Sequence, residues 1–600
     1  MKQRFLILIS SCIALVLLCA FWGWAREQGS APMPVPSAAG GYYEEPFVLK
    51  LDAPANGKIY YTTDGSTPTT DSALYAGGIP IGDRSPEQNR YSSIQNVMTD
   101  WHTYIPDPTP VKKGTVVRAI YVSDWGLQSE ILTQTYFVGI SAPKEGLTLS
   151  LVFEYDDLFG EDGIYVTGKE YDEWYLAGGQ TLPAPVPNFK KRLEVTAVAE
   201  IMDSSGDIAN QLVGLRIQGA SMRGWYKKRF ILECNAELSG CDTFPAELLQ
   251  GAPAHSLMTK ACKVDSMVSE LVADRAVATQ RSVPVQIYLN GEYWETTNFL
   301  ERYDKTYFKQ HYDVDDAVLV KNGQPNTQDD TDRYSEFMYW ADHTDFSDES
   351  QWEQIQKEMD VQSYIDFISI NYYLCNWDFS DDKNYLVWSS VHTGSSPYAD
   401  QRWRWCIYDV DALELTRANY DVENAAEVNI FSCELPYAEV RVNETVLFRG
   451  LKRNEQFRQR FVLSFMDIVN NNFSPERVEA ILSGHGLSPD WQDGYFQKRP
   501  DYAVQHLAEE FQLSGVPETV TICSGNPEMG EVVVNTSPID LSSGTWSGKY
   551  FTDYPITVTA SAKEGYRFVG WKGDANTAEN TLTLPVDGGV TLEAVFADKT

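Results

Sequence analysis

The sequence predicts a multidomain protein in which a central α+β domain stands between two small all-β modules. Three observations lead there. The chain has 600 residues, too many for one core when domains run to about 100–200 residues each. Both ends of the folded region are short β-type runs punctuated by turn residues, and only the middle mixes amphipathic helix patterns with strands. With 43% hydrophobic and 13% aromatic residues, each part carries enough apolar side chains to bury a core. The formal net charge of −36 argues against nucleic acid as a partner, because polyanions are repelled over most of such a surface.

Residues 1–25 read as a signal peptide or signal anchor. Lys2 and Arg4 precede an apolar run from Phe5 to Trp24, and Gly23-Trp24-Ala25 offers a signal peptidase site. At about twenty residues the run also spans a bilayer if uncleaved. Either outcome implies an exported protein, extracellular or on the cell surface, and an uncleaved one meets the membrane only through residues 5–24. Residues 26–41, rich in Pro, Ser, Ala and Gly, form a linker. Of nine cysteines, Cys12 and Cys19 fall in the export segment. Among the rest, Cys234 and Cys241 are close enough for a bridge across a turn, and the others suit buried thiols.

Residues 42–140 form the first β module. "FVLKLDA", "KIYYTTDGSTPT", "TVVRAIYVSDWGLQSE" and "LTQTYFV" are short strands, with Asp64-Gly65 and Pro68 making a tight turn. "YYTTDGSTPT" resembles the signature of chitobiase C-terminal-like modules, which implies a β accessory module: a spacer, or a binder of cell-wall glycan. Residues 516–600 have the same character. "PITVTASAKEGYRFVGWKGD" and "TLTLPVDGGVTLEAVF" alternate through strands, with turns at Gly565 and Gly570. This end resembles an internalin-B-type bacterial repeat, a module of exported surface proteins.

Residues 141–515 hold the mixed signals. Val264, Met267, Val268, Leu271 and Val272 form one helical stripe, "VPVQIYLNGEYWETTNFL" reads as strand, Asn290-Gly291 turn, strand, and Pro475 opens a helix after "NEQFRQRFVLSFMDIVNNNFS". The part is expected to fold and bind nucleotide without either β module, since every candidate motif lies inside it.

The HExxH, GxSxG and P-loop motifs are absent from the sequence, and its seven scattered histidines do not suggest a histidine metal centre. The candidate chemistry is acidic. In "NWDFSDDKNYLVWSSVHTGSSPYADQRWRWCIYDVD" a strand Asn384–Trp388 and a returning strand Arg402–Tyr408 form a hairpin. Antiparallel pairing brings Asp378, Asp381 and Asn384 toward Asp409 and Asp411. Such oxygen ligands suit Mg²⁺, which takes one or two carboxylates together with substrate phosphates; in the alternative, these are ordinary turn residues. The order is also that of protein kinases, where a catalytic-loop Asp and Asn precede a hairpin and a metal-binding Asp. On that comparison Asp378 accepts the proton of the attacking hydroxyl, Asn384 helps hold a metal, and Asp409 bridges metal and phosphates, with Asp411 beside it. The Asp378 to Asn384 spacing is one residue longer than in kinases, so Asp381 or Asp382 is the alternative working carboxylate. In "LRIQGASMRGWYKKRFILEC" Lys227 and Lys228 follow a Gly219–Gly224 turn, placed to reach phosphates.

Together, "DLFGEDGIYVTG", "RIQGASMRGWYKKRF", "VPVQIYLNGEYWETTNFLERYD", "NWDFSDDKNYLVW" and "RWRWCIYDVDAL" resemble the spore-coat-protein-H (CotH) kinase family across about residues 147–485. The resemblance implies an atypical protein-kinase-like fold that uses ATP and Mg²⁺ or Mn²⁺ to phosphorylate Ser or Thr hydroxyls of a secreted or surface protein. Arg216, Gly219, Lys227 and Lys228 match its Arg-Gly and Lys-Lys segment, with Lys227 facing the ATP phosphates. Asn290, Gly291, Tyr293 and Glu301 match the next, with Glu301 orienting a lysine. The sequence departs from the family pattern at Glu295, Ala220, Met222 and Tyr226. The alternative function is a catalytically silent surface scaffold whose β modules bind glycan or a partner.

Overall fold

In a computed structural model, residues 30–599 are described apart from 101–102, 220, 250, 326–327, 382, 416–419 and 434–443. The export segment and Asp382 lie outside the described residues. The chain divides into two compact units, residues 1–261 with 283–299, and residues 262–282 with 300–600. Among the described residues, no helix is long and apolar enough to cross a membrane.

In the first unit, a five-stranded sheet runs in the order Gly41–Tyr43, Leu132–Val138, Thr115–Ser123, Gly57–Thr62, Ala73–Leu74. Alternating residues such as Ile59, Val117, Ala119 and Tyr136 build its core. A closed barrel follows, in the order Leu147–Val152, Glu194–Met202, Asp207–Gln218, Arg229–Cys234, Ser256–Lys260, Glu292–Glu301, Ser282–Leu289. Closure leaves no free sheet edge. The hairpin joining the last two chain segments turns at Asn290 (φ 46°) and Gly291 (φ 84°), the two left-handed residues expected of an Asn-Gly turn. Gly291 admits nothing larger, since a Cβ there would stand 2.5 Å from the Gly114 carbonyl oxygen.

The barrel does not close its core alone. Tyr91 and Val97, from the segment before residue 115, are buried in it. The buried Glu292 carboxylate accepts from the N–H groups of Arg90 (2.7 Å), Tyr91 (3.1 Å) and Ser92 (2.8 Å). Glu200, on a barrel strand and fully buried, accepts the Thr135 N–H at 3.0 Å and the Thr135 hydroxyl. A cut at 141 would remove side chains and donors that the barrel interior uses, which bears against the expectation that residues 141–515 fold alone.

The second unit is mostly helical around a four-stranded sheet ordered Gln324–Pro325, Ala317–Lys321, Leu386–Ser390, Arg404–Trp405. The stripe from Val264 forms the helix Val264–Leu271. Ser474 caps the helix Pro475–Gly484 through the Arg477 N–H, with Pro475 at its first turn, as expected. After residue 516 come two four-stranded sheets. Their Val520, Val534, Tyr550, Val558 and Phe596 belong to the same buried cluster as Val268, Ile368 and Phe465 of the helices. One polar knot lies inside that cluster. The fully buried Asp467 accepts from Asn535 Nδ2 (3.0 Å), Thr536 N–H (3.0 Å), Thr536 Oγ1 (2.7 Å) and Tyr550 Oη (2.7 Å). Arg275 donates to Asp366 at 2.6 Å and to Thr536 Oγ1 at 2.9 Å. The carboxyl-terminal strands share the buried core of the helices.

The Cys234–Cys241 bridge is not formed. Cys234 is buried at a strand end, where its sulfur accepts from Gln211 Nε2 at 2.9 Å, while Cys241 is exposed beyond the short helix Ala236–Ser239.

Candidate functional site

Two groups of side chains bear on the expected chemistry, one in each unit. In the second unit the expected hairpin exists, with Val387 paired to Trp405, Trp388 to Arg404, and the Cys406 N–H donating to the Leu386 carbonyl at 3.0 Å. At its foot two residues take left-handed backbone, Asn384 (φ 49°) and Asp409 (φ 55°). That conformation is uncommon outside glycine, and Asn and Asp tolerate it best. Asp378 is half-buried and engaged at both oxygens. Asn384 Nδ2 donates to Oδ2 at 3.0 Å, and Lys383 Nζ pairs with Oδ1. Asp381 is used differently: its Oδ2 accepts the Val446 N–H at 3.0 Å, at the start of the helix Val446–Leu451. A carboxylate there satisfies an orphan helix donor, and Asp378 is the carboxylate seen bonded to Asn384 among the described residues.

On the returning side, Tyr408 is tied to Lys321, and the Val410 N–H donates at 3.1 Å to Oδ1 of the buried Asp265. Asp409 lies between these two anchored residues. Asp411, which opens the short helix Asp411–Leu415, comes together with Asp265 and Cys262, their ligand atoms all within 4.8 Å of one another. Two carboxylates fit a divalent ion of the Mg²⁺ or Mn²⁺ type. The Cys262 sulfur is a softer donor that Mg²⁺ does not favour, so the two oxygens would do the holding. Asp265 was not read from the sequence as a site residue. Its only signal is a carboxylate at the margin of an otherwise apolar helix stripe.

Glu301 is placed otherwise than expected. Arg281 donates to both its oxygens (2.8 and 3.0 Å), and His311 Nε2 lies 3.1 Å from each. Burial alone would raise its carboxyl, but His311 and Arg281 hold it below the usual carboxylate range. Its partners in these bonds are an arginine and a histidine in place of the lysine.

In the first unit, Arg216 pairs with Glu194 at 3.2 Å and with Glu233. Lys227 Nζ donates to the Trp294 carbonyl at 2.6 Å and lies 3.4 Å from the centroid of the Trp294 ring. Burial lowers its ammonium and raises the carboxyl of Glu295, and each charge opposes the other's shift. Glu295, a departure from the family pattern, is thus the acidic neighbour of Lys227. Lys228 is buried, its Nζ donating to the carbonyls of Val97 and, at 2.7 Å, Trp225. Burial drags its ammonium down to about 7. Lys227 is therefore the less enclosed of the two.

A closed barrel in the first unit, carboxylate-bearing helices in the second, and β-rich segments early and late in the sequence define a multidomain class of mixed α/β architecture. The family described as CotH kinase protein matches residues 215–484, Fn3 associated matches 48–136, and the divergent InlB B-repeat domain matches 532–600. The chain thus carries a CotH kinase domain at residues 215–484, with an Fn3-associated module before it and a divergent InlB B-repeat after it. No curated protein matches it.

Proposed function

We propose that the protein is an exported CotH-type kinase that transfers the γ-phosphoryl group of ATP to a Ser or Thr hydroxyl of a secreted or surface protein. The observation that carries this reading is the Asp378–Asn384 pair, hydrogen-bonded at 3.0 Å at the foot of the hairpin whose other foot leads to Asp411 beside Asp265. Phosphoryl transfer asks little covalent chemistry of a protein and depends on positioning and charge. Asp378 Oδ accepts the proton of the acceptor hydroxyl. Asn384 and Lys383 fix the orientation of that carboxylate, and Asp265, Asp411 and the neighbouring Asp409 supply the negative charge that holds a cation. Bound Mg²⁺ or Mn²⁺ contributes neutralisation of the phosphate charge. Lys227 is the first unit's candidate for the phosphates, with its amine held by Trp294 and countered by Glu295.

Those engagements of Lys227 and Glu301 also favour a second reading, a silent scaffold at the cell surface whose β modules bind glycan or a protein. Thermal melts with ATP, with and without Mg²⁺ or Mn²⁺, separate the two. A ligand at a hundredfold excess over its Kd stabilises by about 2.7 kcal/mol. The kinase reading expects that stabilisation together with metal-dependent transfer of labelled phosphate to serine-containing protein. No shift and no transfer with either metal would sink it.

A further inference from the structure

The first unit contains a cavity of about 730 Å³ whose walls carry three cations, Lys190, Arg192 and Arg223, with Trp225 beside them and Gly219 and Gly224 at the turn. In a chain of net charge −36 a lining whose charged side chains are all basic is unexpected. Arg216 nearby is neutralised by Glu194 and Glu233. Lys190, Arg192 and Arg223 make no ion pair among the described residues. Arg223 Nη1 donates only to the Lys190 carbonyl, at 3.3 Å, and its buried Nε has no hydrogen-bond partner among the described residues. Burial, and then the charges of Arg192 and Arg216, push its guanidinium down. Gathered like charges with an orphan donor cost stability, and an anion removes that cost.

The walls also constrain the form of the anion. Lys190 and Arg192 are exposed, and the Trp225 side chain is 62% exposed. Small-ligand sites normally enclose about 70–90% of their occupant, whereas this one is an open basin that admits a side chain presented on a polypeptide. The Gly219 backbone (φ +110°) is closed to other residues, and a Cβ on Gly224 would meet nothing within 4 Å.

We propose that this basin binds a phosphoseryl or phosphothreonyl group of a protein, with Arg192 and Arg223 gripping the dianion and Trp225 covering the adjoining backbone. Arginine suits a phosphate dianion because its planar fork donates two parallel hydrogen bonds. The idea rests on the proposed kinase reading for its source of ligand: an acceptor already phosphorylated once is retained for phosphorylation at a further site.

The test is equilibrium binding of a serine-rich peptide in phosphorylated and unphosphorylated forms to the full chain, read by Trp fluorescence and anisotropy without ATP or metal. Saturable binding of the phosphorylated form alone is expected. Arg192→Gln and Arg223→Gln should each weaken it about tenfold or more, and raised salt should weaken it further. Asp378→Asn should bind as wild type does, which keeps this result independent of whether the protein is an active kinase. Lys190→Gln and Arg192→Gln alter exposed side chains, so their melting curves should match wild type even where Arg223→Gln does not fold. Equal binding of the two peptide forms, binding indifferent to Arg192→Gln and Lys190→Gln, or displacement by ATP with no affinity for phosphopeptide would each overturn the proposal.

Discussion

Asp467→Ala should unlatch the carboxyl-terminal strands from the helices. The wild-type carboxylate is fully buried and collects four donors, from Asn535, Thr536 (twice) and Tyr550, at 2.7 to 3.0 Å. Burial raises its carboxyl, while Arg275 and the donors from Asn535 and Thr536 pull the other way. Alanine removes the acceptor and leaves the donors facing a methyl group. Each buried donor left unmade costs about 1–3 kcal/mol, the losses are not additive at one site, and breaking a buried charged contact typically costs about 3–5 kcal/mol. We expect a loss of about 3–5 kcal/mol, or roughly 4–7 °C in the melting transition of that unit. Scanning calorimetry measures it, with a chain ending at residue 515 as companion, expected to lose the cooperative transition of the helices. A loss under about 1 kcal/mol, with a truncated chain that melts as the intact one does, would refute the idea of a shared core.

Two pH-dependent effects should follow from buried carboxyls. Burial raises Glu200 to about 8, so the folded state binds its proton more tightly than the unfolded state, whose value is about 4.3. The stability it supplies is full below that value and lost as pH rises through about 8. Glu200→Gln should therefore match wild type near pH 5 and melt higher than wild type at pH 9. Glu301 has the opposite sign: its folded value is depressed, so its contribution is present above about 4.3 and lost as pH falls through the folded value. Glu301→Gln should melt lower than wild type at pH 7, and the difference should close on acidification; a gap that persists at pH 2 would contradict the Arg281 and His311 account.

Local patterns were legible in the sequence. The Asn290-Gly291 turn, the stripe from Val264, the helix opening at Pro475 and the hairpin between Asn384 and Tyr408 each depend on a few neighbouring residues, and each is present in the fold. What the sequence did not disclose depends on residues far apart in the chain. Asp467 reads as one polar residue in "SFMDIVNNN", and only the return of Asn535 and Tyr550 makes it a latch. Asp265 lies 146 positions before Asp411, a separation no spacing rule spans. Lys190, Arg192 and Arg223 look like ordinary solvated cations until strands and turn gather them. Glu301 was assigned a lysine by analogy, and the carboxylate is instead taken up by Arg281 and His311.

The central claim is that Asp378 and the Asp265–Asp411 pair serve metal-dependent phosphoryl transfer. The most direct measurement is ATP turnover and autophosphorylation of wild type, Asp378→Asn, Asp265→Asn and Asp411→Asn across a titration of Mg²⁺ and Mn²⁺, with melting curves as the folding control. The account predicts activity only with metal and a fall of about 10²-fold or more in each variant. It further predicts that Asp265→Asn and Asp411→Asn need more metal to reach half their activity, while Asp378→Asn does not. Wild-type turnover that survives all three substitutions in folded protein would contradict it.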